Sequence, residues 1–174
     1  MALKDPEAFG QLFKRHSRAV YAYGARRTGN LQVAEDLTSV VFFEAFRQRR
    51  KLQLSSASAL PWLLGVANNV TRNADRSLRR YRSALERVPP PTDRASSEDA
   101  AAEHLGAQEA LARALDALRP LTQAERDVVL LVLWSELSYA DAAASLGIPI
   151  GTVRSRLASA RQKFAAITIN PTFQ

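Results

Sequence analysis

The chain has 174 residues, a net charge of +7, no cysteine and only two histidines. The missing cysteines exclude disulfides and zinc–thiolate sites, and two distant histidines form neither a metal cluster nor a nucleophile–base pair, so we predict a protein that is not an enzyme and uses no cofactor. Because no apolar run could span a bilayer and no signal-peptide profile is present, we expect a soluble cytoplasmic protein, and the positive charge favours a polyanionic partner.

Two amphipathic helices are predicted at the start of the chain. Asp5 and Pro6 suit the cap and first position of a helix that the turn Thr28-Gly29-Asn30 would close. A second helix is predicted from Leu31 to Arg49. This helix has more apolar residues than a single core-facing stripe requires. The additional apolar residues would contact either a partner protein or neighbouring helices.

A serine-rich loop over residues 51–59 precedes a third predicted helix, which Pro61 opens. The first half of this helix is apolar, and we interpret Trp62 as a core anchor in preference to a platform for stacking bases. Its second half is basic and rich in side chains that could contact phosphates or unstacked bases. Four positive charges and no acid also occur within Arg47–Lys51.

Pro89-Pro90-Pro91 interrupts any helix, and residues 89–110 carry five acids against Arg94 as their only arginine or lysine. We therefore predict an all-α protein of two small helical domains. The predicted limits are residues 1–87 for the first domain, 88–104 for a flexible acidic linker and 105–174 for the second domain.

The second domain is predicted to end in a helix-turn-helix. Thr122 and Glu125 form a capping box ahead of an apolar run that would be the central core helix. Ser138 can cap the next helix, Gly147 suits a sharp turn, and Pro149 suits the start of another helix. Two helices joined by a short turn that contains glycine are typical of a helix-turn-helix.

The last helix has the composition of one that enters a DNA major groove. Small and neutral polar residues lie opposite a predicted buried face, basic residues lie on both flanks, and no acid occurs from 152 to 163. The alternative is a solvated basic helix packed on its neighbour. The candidate DNA-binding residues are Thr152, Arg154, Ser155, Arg156, Ala158, Ser159, Arg161, Gln162 and Lys163.

Three blocks, at residues 34–46, 60–80 and 118–164, together resemble the RNA polymerase sigma factors of the extracytoplasmic-function group. The resemblance implies a sigma region 2-like first domain that binds the clamp of core RNA polymerase and the melted minus-ten promoter element. It also implies a sigma region 4-like second domain that binds the minus-thirty-five element as duplex, with the clamp and flap regions of polymerase as partners. An anti-sigma factor is a further possible partner, and no membrane is involved.

Site residues carried over from the resemblance fall into two sets. The core-polymerase contacts would be Asp36, Leu37, Val40 and Phe43. Ser39 and Val40 replace a Gln-Glu pair that is common in the family, which makes this contact more apolar. The minus-ten contacts would be Arg49, Arg50, Lys51, Asn68, Asn69, Arg72, Asn73, Arg76, Arg79 and Arg80, beside a loop that holds an extruded base.

Two other functions compete with a dissociable promoter-specificity subunit. A free-standing helix-turn-helix regulator would bind duplex DNA without polymerase, usually as a dimer on two half-sites. A helical adaptor with merely solvated basic faces would bind neither DNA nor polymerase. A gel shift with and without core polymerase separates these functions.

Overall fold

The computed structural model describes residues 6–49, 58–85 and 102–169. All regular structure in these ranges is helical, which confirms the all-α prediction. The helices are α1 (Pro6–Thr28), α2 (Leu31–Gln48), α3 (Leu60–Leu85), α4 (Ala102–Leu118), α5 (Gln123–Val129), a π-helical segment (Leu130–Trp134), α6 (Tyr139–Leu146) and α7 (Ile150–Ile169). Within these ranges, none of the helices is long and apolar enough to cross a membrane.

Several sequence predictions concern residues outside the described ranges. The Asp5 cap, the polar residues Arg50 and Lys51, and the proline-rich start of the acidic linker belong to this group. The predicted limits of the two domains therefore stay predictions.

The turn between α1 and α2 forms where the sequence indicated. Gly29 adopts a φ of +75°, and the side chain of Asn30 accepts a hydrogen bond from the backbone N–H of Val33 at 3.1 Å, which caps α2. A Cβ on Gly29 would lie 2.6 Å from Cδ1 of Leu115 in α4. The left-handed backbone is what favours glycine at this position, while the end of the Leu115 side chain packs closely over it.

The first three helices pack around a common apolar core. Val20 of α1, Val41 of α2 and Leu63 of α3 are fully buried in it. Trp62 is partly buried against the same core, which agrees with its interpretation as a core anchor. Edge-to-face aromatic contacts, such as Phe13 against Phe42 with ring centroids 4.7 Å apart, extend this core between α1 and α2.

The apolar run after Thr122 differs from the predicted single helix. The capping box forms, with Thr122 N–H donating to Oε2 of Glu125 at 2.7 Å, and α5 follows. The helix then widens, because the backbone N–H and the hydroxyl of Ser135 both donate to the carbonyl of Leu130, at 3.0 and 2.9 Å. The run is not buried all round, since Leu133 is 42% exposed.

The helix-turn-helix is present as predicted. The hydroxyl of Ser138 accepts from the N–H of Asp141 at 3.0 Å, and Gly147 ends α6 in the left-handed conformation with φ +63°. Val153, Leu157 and Ala160 are buried on the inner face of α7. The face of α7 that was predicted to be buried is therefore the one that packs on the rest of the fold.

The N-terminal helices (α1–α3) pack directly against the C-terminal helices (α4–α7), which the sequence did not indicate. Helix α3 lies against α6, and residues of both groups share one apolar core. The hydroxyl of Ser145 in α6 donates to the carbonyl of Pro61 in α3 at 2.6 Å. In this closed arrangement, contacts far apart in sequence join the two groups of helices.

Candidate functional site

The outer face of α7 is the most exposed basic surface of the helix-turn-helix. Five of the nine candidate DNA-binding residues are exposed there: Arg154, Ser155, Ala158, Arg161 and Gln162. Thr152 and Arg156 are half-buried beside them. Two exposed arginines flanking short side chains can approach a DNA groove closely and contact phosphates or guanine edges.

The remaining two candidates, Ser159 and Lys163, are bound to Glu125 of α5. The Ser159 hydroxyl donates to Oε1 at 2.6 Å, and the Lys163 ammonium donates to Oε2 at 2.7 Å. The Lys163 and Ser159 donors lower the pKa of Glu125 to about 2. Any DNA contact by Lys163 would require it to leave this carboxylate, so that assignment stays a prediction.

The sequence indicated Glu125 only as part of the capping box. In the structure the same carboxylate accepts four hydrogen bonds, two from Thr122 and two from α7. Ser159 and Lys163 are four positions apart and therefore lie on the same face of α7. This spacing was the sequence signal that both could contact one acidic side chain. Glu125 thereby fixes the rotation of α7 relative to α5.

A mostly apolar stripe, with one acidic residue, runs along the outer face of α2. Val33, Asp36, Val40 and Phe43 recur at helical spacing, and Phe43 is 63% exposed while Val33 and Val40 are each 45% exposed. We call these four residues the α2 stripe. The sequence left open whether the additional apolar residues of α2 meet a partner or neighbouring helices. Val40 and Phe43 are exposed, so no helix within the described residues buries them.

Leu37 does not belong to the α2 stripe, and its prediction as a polymerase contact is not supported by its position. It is 7% exposed, and its Cδ2 lies 3.0 Å from where a Cβ on Gly24 would be. Its side chain points from α2 toward Gly24 of α1, away from the exposed face that carries Phe43. Leu37 is therefore a core residue that holds α2 on α1.

The outer face of α3 carries the exposed part of the predicted minus-ten set. Asn69, Arg72, Asn73 and Arg76 are exposed and recur at i, i+3, i+4 and i+7, so they share one face. We call these four residues the α3 polar face. Arg79 and Arg80 lie in the continuation of α3, where the structure describes the helix but not their side chains.

Asn68 is absent from the α3 polar face because it points into the core. It is 1% exposed, and its Oδ1 accepts a hydrogen bond from the hydroxyl of Tyr23 at 3.4 Å. Arg49, at the end of α2, is also engaged, since its guanidinium lies 3.5 Å from the ring centroid of Phe46. In this structure the side chain of Asn68 is buried in the core, away from the exposed face of α3.

Within the described residues, no group of three or more histidine, aspartate or glutamate side chains could hold a metal ion. The exposed functional groups on these faces are amides, a hydroxyl, guanidinium groups and the carboxylate of Asp36. These groups can form hydrogen bonds, ion pairs and apolar contacts with a partner.

Comparisons with known proteins identify the family. The sequence matches the family model for Sigma-70 region 2 over residues 12–82 and the one for Sigma-70, region 4 over residues 108–164. It is also 33% identical to the RNA polymerase sigma factor HrpL of Pseudomonas syringae over 153 residues, covering 87% of this chain and 82% of HrpL. The chain belongs to the sigma-70 family.

Further relatives of this sigma factor place it in the extracytoplasmic-function group. It is 35% identical over 162 residues to the ECF RNA polymerase sigma factor SigE of Mycolicibacterium smegmatis, covering 90% of this chain but only 60% of SigE. The fold resembles CnrH in complex with the cytosolic domain of CnrY, with a TM-score of 0.68 and 25% identity over 96% of this chain and 91% of that one.

The match to region 2 also decides between the functions considered from the sequence. A free-standing helix-turn-helix regulator has no need of that region, so the alternative is not favoured. The α2 stripe and the α3 polar face lie inside the region 2 match, and the outer face of α7 lies inside the region 4 match. Members of the sigma-factor family are regulatory subunits and not enzymes.

Proposed function

We propose that this sigma factor binds core RNA polymerase through the α2 stripe, the melted minus-ten element through the α3 polar face, and the minus-thirty-five duplex through the outer face of α7. It acts in the cytoplasm, where polymerase works, and it carries out no chemistry of its own. The observation that supports this most is that three exposed faces of suitable chemistry all lie within the two matched sigma regions.

The α2 stripe supports a protein partner. Burying an apolar side chain of this size is worth about 1.5 to 3 kcal/mol, and Phe43 keeps 63% of its surface in contact with water. Asp36 at the centre of the stripe adds one charged group that a basic residue of the partner could pair with. A mostly apolar surface with a single charge suits a protein surface better than a nucleic acid.

The α3 polar face supports contact with single-stranded DNA. Its two arginines can bind phosphates, and its two asparagines can donate to and accept from the edges of unstacked bases. The guanidinium of Arg27 in α1 lies 2.9 Å from the carboxylate of Asp75 in α3, so this acidic residue is already paired with a cation. This pairing reduces the repulsion of a DNA strand on α3.

The outer face of α7 supports contact with duplex DNA. Ala158 has no polar side-chain atom to contact a base, and the hydroxyl of Ser159 is held by Glu125. Base recognition should therefore depend on Arg154, Ser155 and Arg161 and on the shape of the DNA.

An anti-sigma partner is part of the proposal. The co-crystal structure of the sigma factor RpoE with the anti-sigma factor NepR from Bartonella quintana has a TM-score of 0.69 to this chain, at 22% identity over 93% of this chain and 97% of that one. That likeness shows the fold alone. Co-purification from the host tests the partner, and consistent recovery of this chain without one would count against it.

A gel shift with promoter DNA tests the proposed function. The purified chain should give little or no specific shift alone and a promoter-specific shift with core polymerase. A strong specific shift without polymerase, unchanged when polymerase is added, would instead indicate a free-standing regulator.

A further inference from the structure

A cavity of about 340 Å³ lies between the end of α1 and the helices α4 and α5. We propose that this cavity binds a small phosphorylated compound of the size of a nucleoside monophosphate, with its phosphate on the arginines of the lining and its apolar part on the leucines. Small-molecule sites in proteins typically occupy about 300 to 1,000 Å³, so the space suits such a ligand. This site is separate from the three faces proposed to bind polymerase and promoter DNA, and it can be tested without either.

Four arginines from different parts of the fold line the cavity. Arg26 and Arg27 come from the last turn of α1, Arg119 follows α4, and Arg126 belongs to α5. The one acidic residue of the lining is Asp116, whose carboxylate lies 3.3 Å from Nε of Arg119, and both of these side chains are exposed. Four arginines against one aspartate leave an excess of three positive charges around the cavity.

Two of the four arginines have no carboxylate partner. Arg119 has its neighbouring aspartate, and Arg27 pairs with Asp75 at 2.9 Å. Among the described residues, none of the carboxylates lies within ion-pair distance of Arg26 or Arg126. A phosphate monoester carries a charge of about −1.5 to −2 at pH 7, which matches two unpaired guanidinium groups. The charge of the cavity therefore favours a phosphate over a singly charged carboxylate.

The two unpaired arginines are held in place by backbone carbonyls. Arg126 donates from Nε to the carbonyl of Leu121 at 3.0 Å and from Nη2 to the carbonyl of Arg119 at 3.1 Å. Arg26 lies 5.5 Å from the ring centroid of Trp134 and donates to its carbonyl at 3.5 Å. A guanidinium group has five N–H donors, so each arginine keeps donors for a ligand. Because both side chains are already positioned, they lose little conformational freedom when a ligand binds.

The rest of the lining is apolar, which indicates that the ligand has more than a phosphate. Ala112 is exposed, Leu115 is half-buried, and the buried Leu118 and Leu130 complete the apolar part of the lining. Inorganic phosphate would leave these side chains in contact with water, whereas a ring system would cover them. Small-molecule sites commonly combine apolar walls with a few polar groups that fix the orientation of the ligand. A nucleoside monophosphate has both the charge and the ring system.

Isothermal titration calorimetry on the full-length chain tests the site with three kinds of probe. The four common nucleoside monophosphates have both parts of the expected ligand, inorganic phosphate has only the charge, and the matching nucleosides have only the ring system. We expect at least one monophosphate to bind about tenfold or more tightly than inorganic phosphate and than its own nucleoside. No binding of any monophosphate, or equal affinities for the monophosphates and inorganic phosphate, would overturn the proposal.

Two substitutions in the lining, each with a matched control, test where the ligand binds. Ala112→Glu adds an acid at an exposed position of the lining, and Ala117→Glu adds the same acid at an exposed position of α4 outside it. Arg126→Gln removes one unpaired charge, and Arg113→Gln removes an exposed arginine of α4 outside the lining. Ala112→Glu and Arg126→Gln should weaken binding of the monophosphate at least about tenfold, while both controls change it by less than about twofold.

Unchanged affinity in Ala112→Glu, or an equal loss in Ala117→Glu, would show that the ligand does not bind in this cavity and would overturn the proposal. Arg126→Gln also removes two hydrogen bonds to backbone carbonyls, so circular dichroism is measured in parallel. If that variant unfolds, the comparison of Ala112→Glu with Ala117→Glu decides alone. Because the titrations use neither polymerase nor promoter DNA, their failure would leave the proposed function unchanged.

Discussion

The Nζ of Lys163 lies 2.7 Å from Oε2 of Glu125, and this ion pair joins the second half of α7 to the first turn of α5. The same carboxylate completes the capping box with Thr122. One side chain therefore both starts α5 and orients α7, so a change at Glu125 should affect the stability of region 4 and the position of its DNA-binding face together.

Replacing Glu125 by glutamine should lower the free energy of unfolding by about 1 to 2 kcal/mol, because glutamine can keep the capping geometry but not the charged bonds to α7. Urea unfolding measures this difference. The matched control is Asp116→Asn, which removes an exposed ion pair with Arg119 at 3.3 Å and should change stability by less than about 0.5 kcal/mol. Equal effects of the two substitutions would contradict the orienting role of Glu125.

The contribution of Glu125 should also depend on pH. Its folded-state pKa is lowered to about 2 by Lys163 and Ser159, while an unfolded glutamate has a pKa of about 4.3. A lowered folded-state pKa means that the stabilisation is complete above about pH 5 and is lost as the pH falls toward 2. The difference in unfolding free energy between wild type and Glu125→Gln should therefore shrink between pH 7 and pH 3. A difference that stays constant over this range would contradict the assigned pKa.

Two substitutions on α2, Phe43→Ala and Leu37→Ala, should affect polymerase affinity and the free energy of unfolding differently. Removing the exposed Phe43 should weaken core polymerase binding by about 1 to 2 kcal/mol and change stability by less than about 0.5 kcal/mol. Removing the buried Leu37 should instead lower the free energy of unfolding by about 2 to 5 kcal/mol. Binding titrations and urea unfolding on both variants measure this. Unchanged polymerase affinity in Phe43→Ala would remove the α2 stripe from the interface.

Arg154→Ala should weaken minus-thirty-five recognition by about 1 to 3 kcal/mol and relax the preference at one base pair, if this arginine reaches a guanine edge. The measurement is binding of the polymerase complex to promoters that vary at each minus-thirty-five position. Arg18→Ala, an exposed arginine of α1, serves as a control for the loss of one positive charge. A uniform loss of affinity on all promoter variants would show that Arg154 contacts only phosphate.

Features that depend on neighbouring residues were predictable from the sequence. The Thr122 and Glu125 capping box, the left-handed Gly147 and the inner face of α7 all follow from patterns a few residues long, and the structure confirms them. The resemblance to sigma factors identified the family from three such local blocks, and the comparisons confirm it.

Features that depend on distant contacts were not predictable. Leu37 and Asn68 were predicted to bind partners, but both side chains face the core. Leu37 packs beside Gly24 of α1, and Asn68 accepts a hydrogen bond from Tyr23 of α1. The packing of α3 on α6 arises because Gly65 leaves room for the backbone of Ser145. No periodic pattern within one helix contains that information, since it requires knowing which helices meet.

Run-off transcription with purified core RNA polymerase, with and without this chain, tests the central claim most directly. The account predicts that the chain causes initiation at a new set of promoters on genomic fragments, and that Phe43→Ala and Arg154→Ala reduce this initiation while Arg18→Ala does not. An initiation pattern that the chain leaves unchanged on every template would contradict its role as a promoter-specificity subunit.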